Sequence, residues 1–487
     1  PNTAGTYYYQ CGNHSGMIGT ITVTASATTT IDLSAGNMIT FNQSSNTTVA
    51  FANTETAMDI TIIRIKDSNA TARTITWPDS VDWDEGSDPT LISNSVSGDS
   101  QQFQFLTRDS GLTWYAWEPY KRDIPSFSLF SWGNPDGKGA LGQNNNTAQS
   151  SPIQIGTDVT WTKASLGAYM NGAVKADGTL WTWGNNQQGN LAQNNKTSYS
   201  SPKQVGTDTN WASVIIDQTS LGVKNDGSLW GWGQNEYGQV GDNTNVNKSS
   251  PIQLPGTWSS EYIFVGYYGG GGLKSDGTLW TWGRTHVGSL GLNEGGVPGP
   301  DHSSPVQIPG EWSQATMAQW TGYGIKTDGT LWTWGSNNQG NLGLNSPSNS
   351  HRSSPVQVGT NATWTNLGLS GRLARDAFVC KTDGTLWGWG NNENGSLAQN
   401  DLVDRSSPCQ IPGTTWSTSI RPSKGFYGKV GGAIKTNGSL FTWGANDYGL
   451  LGQNEAPSPN YSSPIQVPGT WTGIFYNWEH AMGFKDE

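Results

Sequence analysis

No run of Lys and Arg longer than two residues occurs in this chain of 487, and only 13% of its residues are charged. The net charge is -11 at pH 7 and the pI is near 4.9. A nucleic-acid binder needs a cationic stripe that displaces counterions. The lack of one argues against DNA or chromatin as a partner, and equally against an anionic membrane surface. Cysteine is scarce: Cys11, Cys380 and Cys409 are too few for a disulfide framework. No apolar run approaches the roughly 18 residues of a membrane-spanning helix, and no signal peptide is visible, so membrane insertion is not expected. The chain opens with Pro1 inside a strand-like stretch, which predicts a fragment of a longer polypeptide.

Two residue types are abundant instead. The chain has 25 Trp and 64 Gly. Disordered chains are poor in aromatics. This mix predicts many short strands joined by tight turns, with indole rings supplying buried area.

Self-similarity carries the strongest signal. The segment KADGTLWTWG at 175–184 recurs at 224–233, 274–283, 326–335, 381–390 and 435–444, and partly as SLFSWG at 128–133. The second Trp of each copy is Trp132, Trp183, Trp232, Trp282, Trp334, Trp389 or Trp443, 49 to 55 residues from the next. That spacing suits one four-stranded propeller blade. Asp-Gly or Asn-Gly between strand-like residues predicts a two-residue hairpin turn. A Gly/Asn-rich loop follows, then a Ser-Pro pair at a strand start, such as Ser151-Pro152, where no ladder donor is needed. Each copy closes with an apolar strand and a lone Trp: Trp161, Trp211, Trp258, Trp312, Trp364, Trp416 and Trp471. Recurrence in every copy marks both tryptophans of the repeated strand, Trp181 and Trp183 in one copy, as core. Cys380 and Cys409 stand where other copies carry Val174 and Ile153, so both are expected to be buried thiols. The first copy lacks the strand before SLFSWG, and the chain ends in AMGFKDE, which matches it. The last strand is therefore expected to pair beside Phe127–Trp132 and close the ring.

These seven in-phase copies resemble the repeats of the regulator of chromosome condensation family over about 360 residues. The resemblance implies a seven-bladed β-propeller over 123–487. It implies no single function, because members include a nucleotide exchange factor, chromatin binders and a β-lactamase inhibitor. The protruding wedge and the basic segments of the exchange factor are not evident here.

Residues 22–122 differ in composition. Alternation in TTTIDLSAGNMITF, MDITIIRIKD and QQFQFLTRDSGLTWYAWEPY predicts a β-sandwich of six to eight strands. Thr74-Ile75-Thr76-Trp77 and the stretch Asp109–Ala116 resemble the TLTW and DGxxWYA strands of a module common in bacteriophage tail-fibre and other virion proteins. Residues 1–21 hold a constellation of another kind. GTYYYQCGNHSGMIGTITV resembles the closing strand and loop of small blue-copper proteins, which implies Cys11, His14 and Met17 as ligands. Such a site needs a second His from an upstream strand. The other histidines, His286, His302, His351 and His480, lie in the propeller. No cofactor is therefore expected, with copper possible only if an upstream His strand exists.

Catalysis is not expected. The five histidines share no repeat position, and His286 and His351 fall in variable loops where exposure is expected. The repeated turn aspartates have a turn-forming explanation. Glycosidase action is the catalytic alternative, because propellers host it. Residues that break the repeat are better site candidates. They are the extra aromatics Tyr267, Tyr268, Trp320, Tyr323, Phe426, Tyr427, Phe475, Tyr476 and Trp478, with the insertion Gly295–His302. Aromatics beside Asn, Gln and Ser suit sugar or protein binding.

The leading expectation is all-β: a seven-bladed β-propeller preceded by a β-sandwich domain, in a bacteriophage tail fibre, spike or head appendage that binds a host-surface glycan or protein. Its implied setting is the virion, extracellular. Its implied partners are other virion proteins, with a homotrimer usual for fibres although no trimerising coiled coil is present. The alternative is a secreted or cell-surface bacterial propeller that binds or inhibits a partner protein. A third reading is a copper-linked redox protein.

Overall fold

The turn at the head of five of the repeated segments is held by its own aspartate, and Asn437 takes that place at 435–444. Asp177 Oδ1 accepts the Thr179 N–H at 2.9 Å and its hydroxyl at 2.7 Å, and Thr179 Oγ1 accepts the Trp181 indole N–H at 2.8 Å. The same relay runs through Asp226–Ser228–Trp230, Asp276–Thr278–Trp280, Asp328–Thr330–Trp332 and Asp383–Thr385–Trp387. The bond from the Ser or Thr hydroxyl holds the carboxyls of Asp226, Asp276, Asp328 and Asp383 below the usual carboxylate range.

The computed structural model describes residues 127–487 apart from 136, 295–298, 369–374, 420–421, 425–428, 455–458, 477–478 and 486–487. Before 127 it describes the strands named below and Trp77. Two units divide the chain, Pro1–Pro125 and Ser126–Glu487.

The second unit is an all-β propeller. Its described strands form three four-stranded and two seven-stranded sheets. In one of them Trp161–Leu166, Met170–Lys175, Leu180–Gly184 and Tyr199–Gln204 are successive antiparallel neighbours. Met170–Asn171–Gly172–Ala173–Val174 are all buried, whereas the outer Ser-Pro strand is half-exposed. The second Trp of each repeat is fully buried. Its indole N–H reaches the preceding repeat: Trp183 donates to Ala140 O at 3.0 Å, Trp232 to Asn190 O and Trp282 to Gln239 O, both at 2.8 Å. Indoles thus staple each repeat to its neighbour, which matters because stacked repeats have only neighbours to bury against. The first Trp is not core as expected. Trp181 is half-buried, because it lies at the rim beneath the Lys175 ammonium, 4.1 Å from the ring.

The strand His480–Lys485 lies between Ser128–Gly133 and Tyr461–Tyr476, antiparallel to both, with Trp132 opposite Ala481. Trp132 makes the same indole bond as the other repeats, to Leu450 O at 2.8 Å, across the two ends of the sequence.

Cys380 is buried, and burial pushes its thiol up to about 12. Cys409 is only half-buried, contrary to expectation, because the outer strand that carries it faces solvent on one side.

Packing is tight where the second Trp crosses the second strand. A Cβ on Gly322 would fall inside the van der Waals radii of the Trp334 ring. Gly322→Ala is expected to destabilise the propeller by about 2 kcal/mol through overpacking, read as a lower melting temperature by tryptophan fluorescence. An unchanged melt would show that the ring can shift freely.

In the first unit, Met38–Gln43, Met58–Lys66, Ser100–Thr107, Trp114–Tyr120 and Val81–Trp83 form one sheet in that order, and Thr28–Asp32, Thr47–Ala52 and Ile75–Thr76 form another. Several pairings are parallel, Met38–Gln43 with Met58–Lys66 among them. The reason is the chain path. From residue 28 to 83 successive strands alternate between the two sheets, so neighbours within a sheet are two strands apart in sequence and run the same way. Gly5–Gln10 pairs with Ile18–Val23, so a boundary at residue 21 cuts through a strand. Cys11, His14 and Met17, the residues of the copper-like motif, lie outside the described residues.

Candidate functional site

On one face of the propeller, each repeat brings together two loops. One is the hairpin between its first and second strands; the other follows the Trp-Gly pair. A backbone bond locks them: Gln234 N–H to Gln218 O at 2.7 Å, Arg284 N–H to Tyr268 O at 2.8 Å, Ser336 N–H to Trp320 O at 2.9 Å and Asn391 N–H to Arg375 O at 3.0 Å. The glycine before this bond is required. Gly335 sits at φ +91, and a Cβ there would overlap Trp320 O. A buried asparagine braces the longer loop, as Asn235 Oδ1 does by accepting the Val240 N–H at 2.8 Å.

The frame is constant and the side chain it presents is not. The hairpin position carries Tyr169, Gln218, Tyr268, Trp320, Arg375, Lys429 and Glu479 in turn. Three neighbouring repeats make an aromatic cluster there. Tyr267 and Tyr268 have ring centroids 4.2 Å apart, and they lie 5.3 and 5.7 Å from Trp320. Tyr237 from the preceding repeat is 4.8 Å from Tyr268, and His286 is 4.5 Å from Trp320. The Arg284 guanidinium lies over Tyr237 at 4.5 Å and beside Tyr268 at 5.8 Å. All six residues are half-buried. Burial, helped by the charges of Arg284 and His351, pulls the His286 pKa below its ordinary value, so the ring is neutral at pH 7.

The structure brings together Tyr267, Tyr268 and Trp320 of the expected site residues. Tyr323 is core instead: it is fully buried and its hydroxyl donates to Asn341 O at 3.0 Å. Burial pushes its pKa above the tyrosine range. Tyr476 is core as well, packed 6.4 Å from Trp132. Strand alternation explains both, since each points its ring between sheets rather than off the face. Phe475 is half-buried against Phe484 at 5.8 Å. Phe426, Tyr427 and Trp478 lie outside the described residues. His286 and His351 are not freely exposed; His351 Nδ1 accepts the Asn337 N–H at 3.1 Å. His302 pairs with Glu294 at 2.7 Å, and His480 is buried against Asn171 at 3.0 Å.

Sequence reasoning missed Tyr237 and Arg284. Aligning the loops in phase would have shown both. Tyr237 stands where other repeats carry Gln188, Val287, Gln339, Asn394 and Tyr448, and Arg284 where they carry Asn185, Gln234, Ser336, Asn391 and Ala445.

Clefts also recur at the rim. One of about 360 Å³ is lined by Trp161, Lys175, Trp181 and Asp158, and one of about 350 Å³ by Trp211, Trp230 and Asp208. Lysine lies over paired tryptophans at equivalent places, including Lys224, Lys326 and Lys381. Such recurrence marks a structural element of the repeat, whereas among the described residues the aromatic cluster occurs in one sector.

The regulator of chromosome condensation (RCC1) repeat is matched at residues 177–215, 226–268, 328–365, 383–421 and 437–482. The human probable E3 ubiquitin-protein ligase HERC3 is 28% identical over 179 residues, which are 35% of this chain and 16% of that protein. Human WBSCR16 has a similar structure, with a TM-score of 0.63 at 20% identity over 74% of this chain and 100% of that one. Prp20p from Saccharomyces cerevisiae, described with its binding properties to Gsp1p and histones, superposes with a TM-score of 0.61 at 14% identity over 74% of this chain and 92% of its own. At these identities the likeness shows the fold.

Proposed function

We propose that this propeller of RCC1 repeats is a binding module that captures a partner protein on the face bearing the Tyr237–Tyr268–Trp320 cluster, and that it acts by binding rather than catalysis. The carrying observation is the cluster itself: six half-buried side chains from three neighbouring repeats gathered on one repeated frame. Half-buried Trp, Tyr and Arg are the residue types that dominate binding energy at protein interfaces. Prp20p, with its binding properties to Gsp1p and histones, supports the reading by analogy of fold. The virion reading draws no support from the relatives above.

The same proposal takes the architecture further. The long strands Lys248–Val265 and Tyr461–Tyr476 each serve as the outer strand of one repeat and the first strand of the next. Each seven-stranded sheet is then two blades sharing a strand, which makes seven blades in all. In the first unit, the ring of Trp77, which follows the strand Ile75–Thr76 of one sheet, meets Phe103 of the other at 5.0 Å, which supports a sandwich.

The test is site-specific photocrosslinking in extract of the source organism. A benzophenone amino acid replacing Tyr267 is expected to give a discrete protein adduct that Trp320→Ala abolishes. The same group at the exposed rim residue Lys203 is expected to give none. Identical adducts from both positions, or an adduct indifferent to Trp320→Ala, would sink the assignment of this face.

A further inference from the structure

We infer that the guanidinium of Arg284 is the receptor for a carboxylate on the partner, and that the rings of Tyr267, Tyr268 and Trp320 receive an apolar side chain next to it. The recognised element is thus an exposed protein segment in which an acidic residue adjoins an apolar one. This inference rests on the proposed binding role of the same face.

The argument begins with what holds Arg284. Its guanidinium lies over Tyr237 at 4.5 Å and near Tyr268 at 5.8 Å. Stacking occupies the face of the group and leaves its N–H donors in the plane, where a carboxylate is met bidentately. Among the described residues, no carboxylate lies within 4.0 Å of those donors and none of them makes a hydrogen bond to the protein. In this acidic chain other basic residues with nearby acids do form ion pairs: Lys224 with Asp208 at 2.8 Å, Lys163 with Glu261 at 2.9 Å and Arg405 with Asp401 at 2.5 Å. Arg284 has such an acid on the neighbouring strand, since Asp301 is its register partner. The ion pair does not form, because the guanidinium is turned onto the tyrosines. Partial desolvation of Asp301, an exposed residue, holds its carboxyl above the usual carboxylate range despite the pull of Arg284 and His302. A guanidinium fixed by aromatic faces, with its donors unspent, is organised in advance for an acid that comes from outside.

Charge and shape narrow the occupant. One arginine in a chain of net charge -11 offers no field for a polyanion such as nucleic acid. The rings meet edge to face, at 60° between Tyr267 and Tyr268 and 66° between Tyr267 and Trp320. The three rings are half-buried, and edges set against faces in this way suit contact with an aliphatic or aromatic side chain, whereas a sugar ring needs one open flat face. His286, tilted 49° against Trp320 at 4.5 Å, is neutral at pH 7, so it adds no second charge.

The experiment titrates the full chain with three probes, followed by tryptophan fluorescence. They are the blocked peptide acetyl-Gly-Asp-Phe-Asp-Leu-Gly-amide, its counterpart with Asn for Asp, and tetragalacturonate. The acidic peptide is expected to bind at least about tenfold more tightly than the amide peptide, as loss of a charge-assisted bidentate pair implies. Arg284→Ala should remove that preference with the melting temperature unchanged, and Arg284→Lys should not restore it, because an ammonium lacks the planar fork. Asp301→Asn, which removes the internal competitor, should tighten acidic-peptide binding about twofold or more. Equal binding of both peptides, still lost in Trp320→Ala, would overturn the carboxylate assignment and leave the partner-binding role standing. Binding of tetragalacturonate in place of the peptides would overturn the protein-segment assignment. Failure of all three probes would overturn the inference, while the crosslinking result judges the binding role separately.

Discussion

A chain that stops at Tyr476 is expected to lose the cooperative melting of its propeller. The deletion removes the strand His480–Lys485, whose first five residues are buried. Met482 and Phe484 pack with Leu129, Ile155, Trp161 and Trp183, and Ala481 packs with Trp132, Trp471 and Tyr476. Emptying the Met and Phe sites alone costs about 5–10 kcal/mol by the usual scale of large-to-small core changes, against a typical total stability of about 5–15 kcal/mol. Ladder bonds to two neighbours are lost as well, because the strand pairs with both Ser128–Gly133 and Tyr461–Tyr476. Those neighbours become exposed sheet edges, which favour aggregation. The measurement is thermal unfolding by near-ultraviolet circular dichroism together with limited proteolysis. A synthetic peptide of residues 477–487 in excess is expected to restore the transition by mass action. A truncated chain that melts within a few degrees of the intact one would show that the ring does not depend on this closure.

Acid is expected to weaken the same seam through His480. Its ring is fully buried, and burial pushes its pKa to about 4. Asn171 Nδ2 donates to Ala140 O, so its Oδ1 is the acceptor, and the neutral His480 donates to it through Nε2 at 3.0 Å. In the unfolded chain the imidazole titrates near 6.5. Between those two values the unfolded chain binds a proton that the folded chain refuses, so stability falls as pH drops from about 6.5 to 4 and is unaffected above that window. The full loss is about 3 kcal/mol. His286 and His351, also pushed down by burial, act in the same direction. The carboxylates held low, such as Asp158 and Asp242, lose their stabilising charge only at lower pH. Urea midpoints at pH 7.5 and 4.5 measure the effect. His480→Thr, the residue that stands at this strand position as Thr219 and Thr321, should remove most of the difference. An unchanged pH dependence in that variant would assign it to other groups.

Much of the fold was legible because the repeat is internally redundant. Asp-Gly before Leu-Trp-Thr-Trp, read several times over, separates what the turn needs from what one copy happens to carry, and the Asp–Thr–Trp relay is its physical form. The partial first copy and the AMGFKDE stretch complement each other for the same reason, and those strands pair. The first unit was less legible. Alternation shows which residues share a face of a strand, yet parallel and antiparallel neighbours alternate identically, so its crossing path left no mark in the pattern.

The candidate site divides in the same way. That Tyr267, Tyr268 and Trp320 break the repeat could be seen in sequence. That Tyr323 and Tyr476 break it inward could not, since an aromatic residue next to a strand start can pack between sheets or stand on the loop face. Only the tertiary structure laid Arg284 across Tyr237 and set His286 against Trp320. Those contacts join residues of different repeats, and their distance depends on how far one repeat is rotated from the next. By itself, then, the sequence determined the repeat, its turns, the buried second tryptophan of each copy and the pairing of its ends, all of which follow from local chemistry copied many times. The tertiary structure alone decided which irregular side chains meet on the face, because inter-repeat geometry is set by the packing of whole sheets and is written in no single segment.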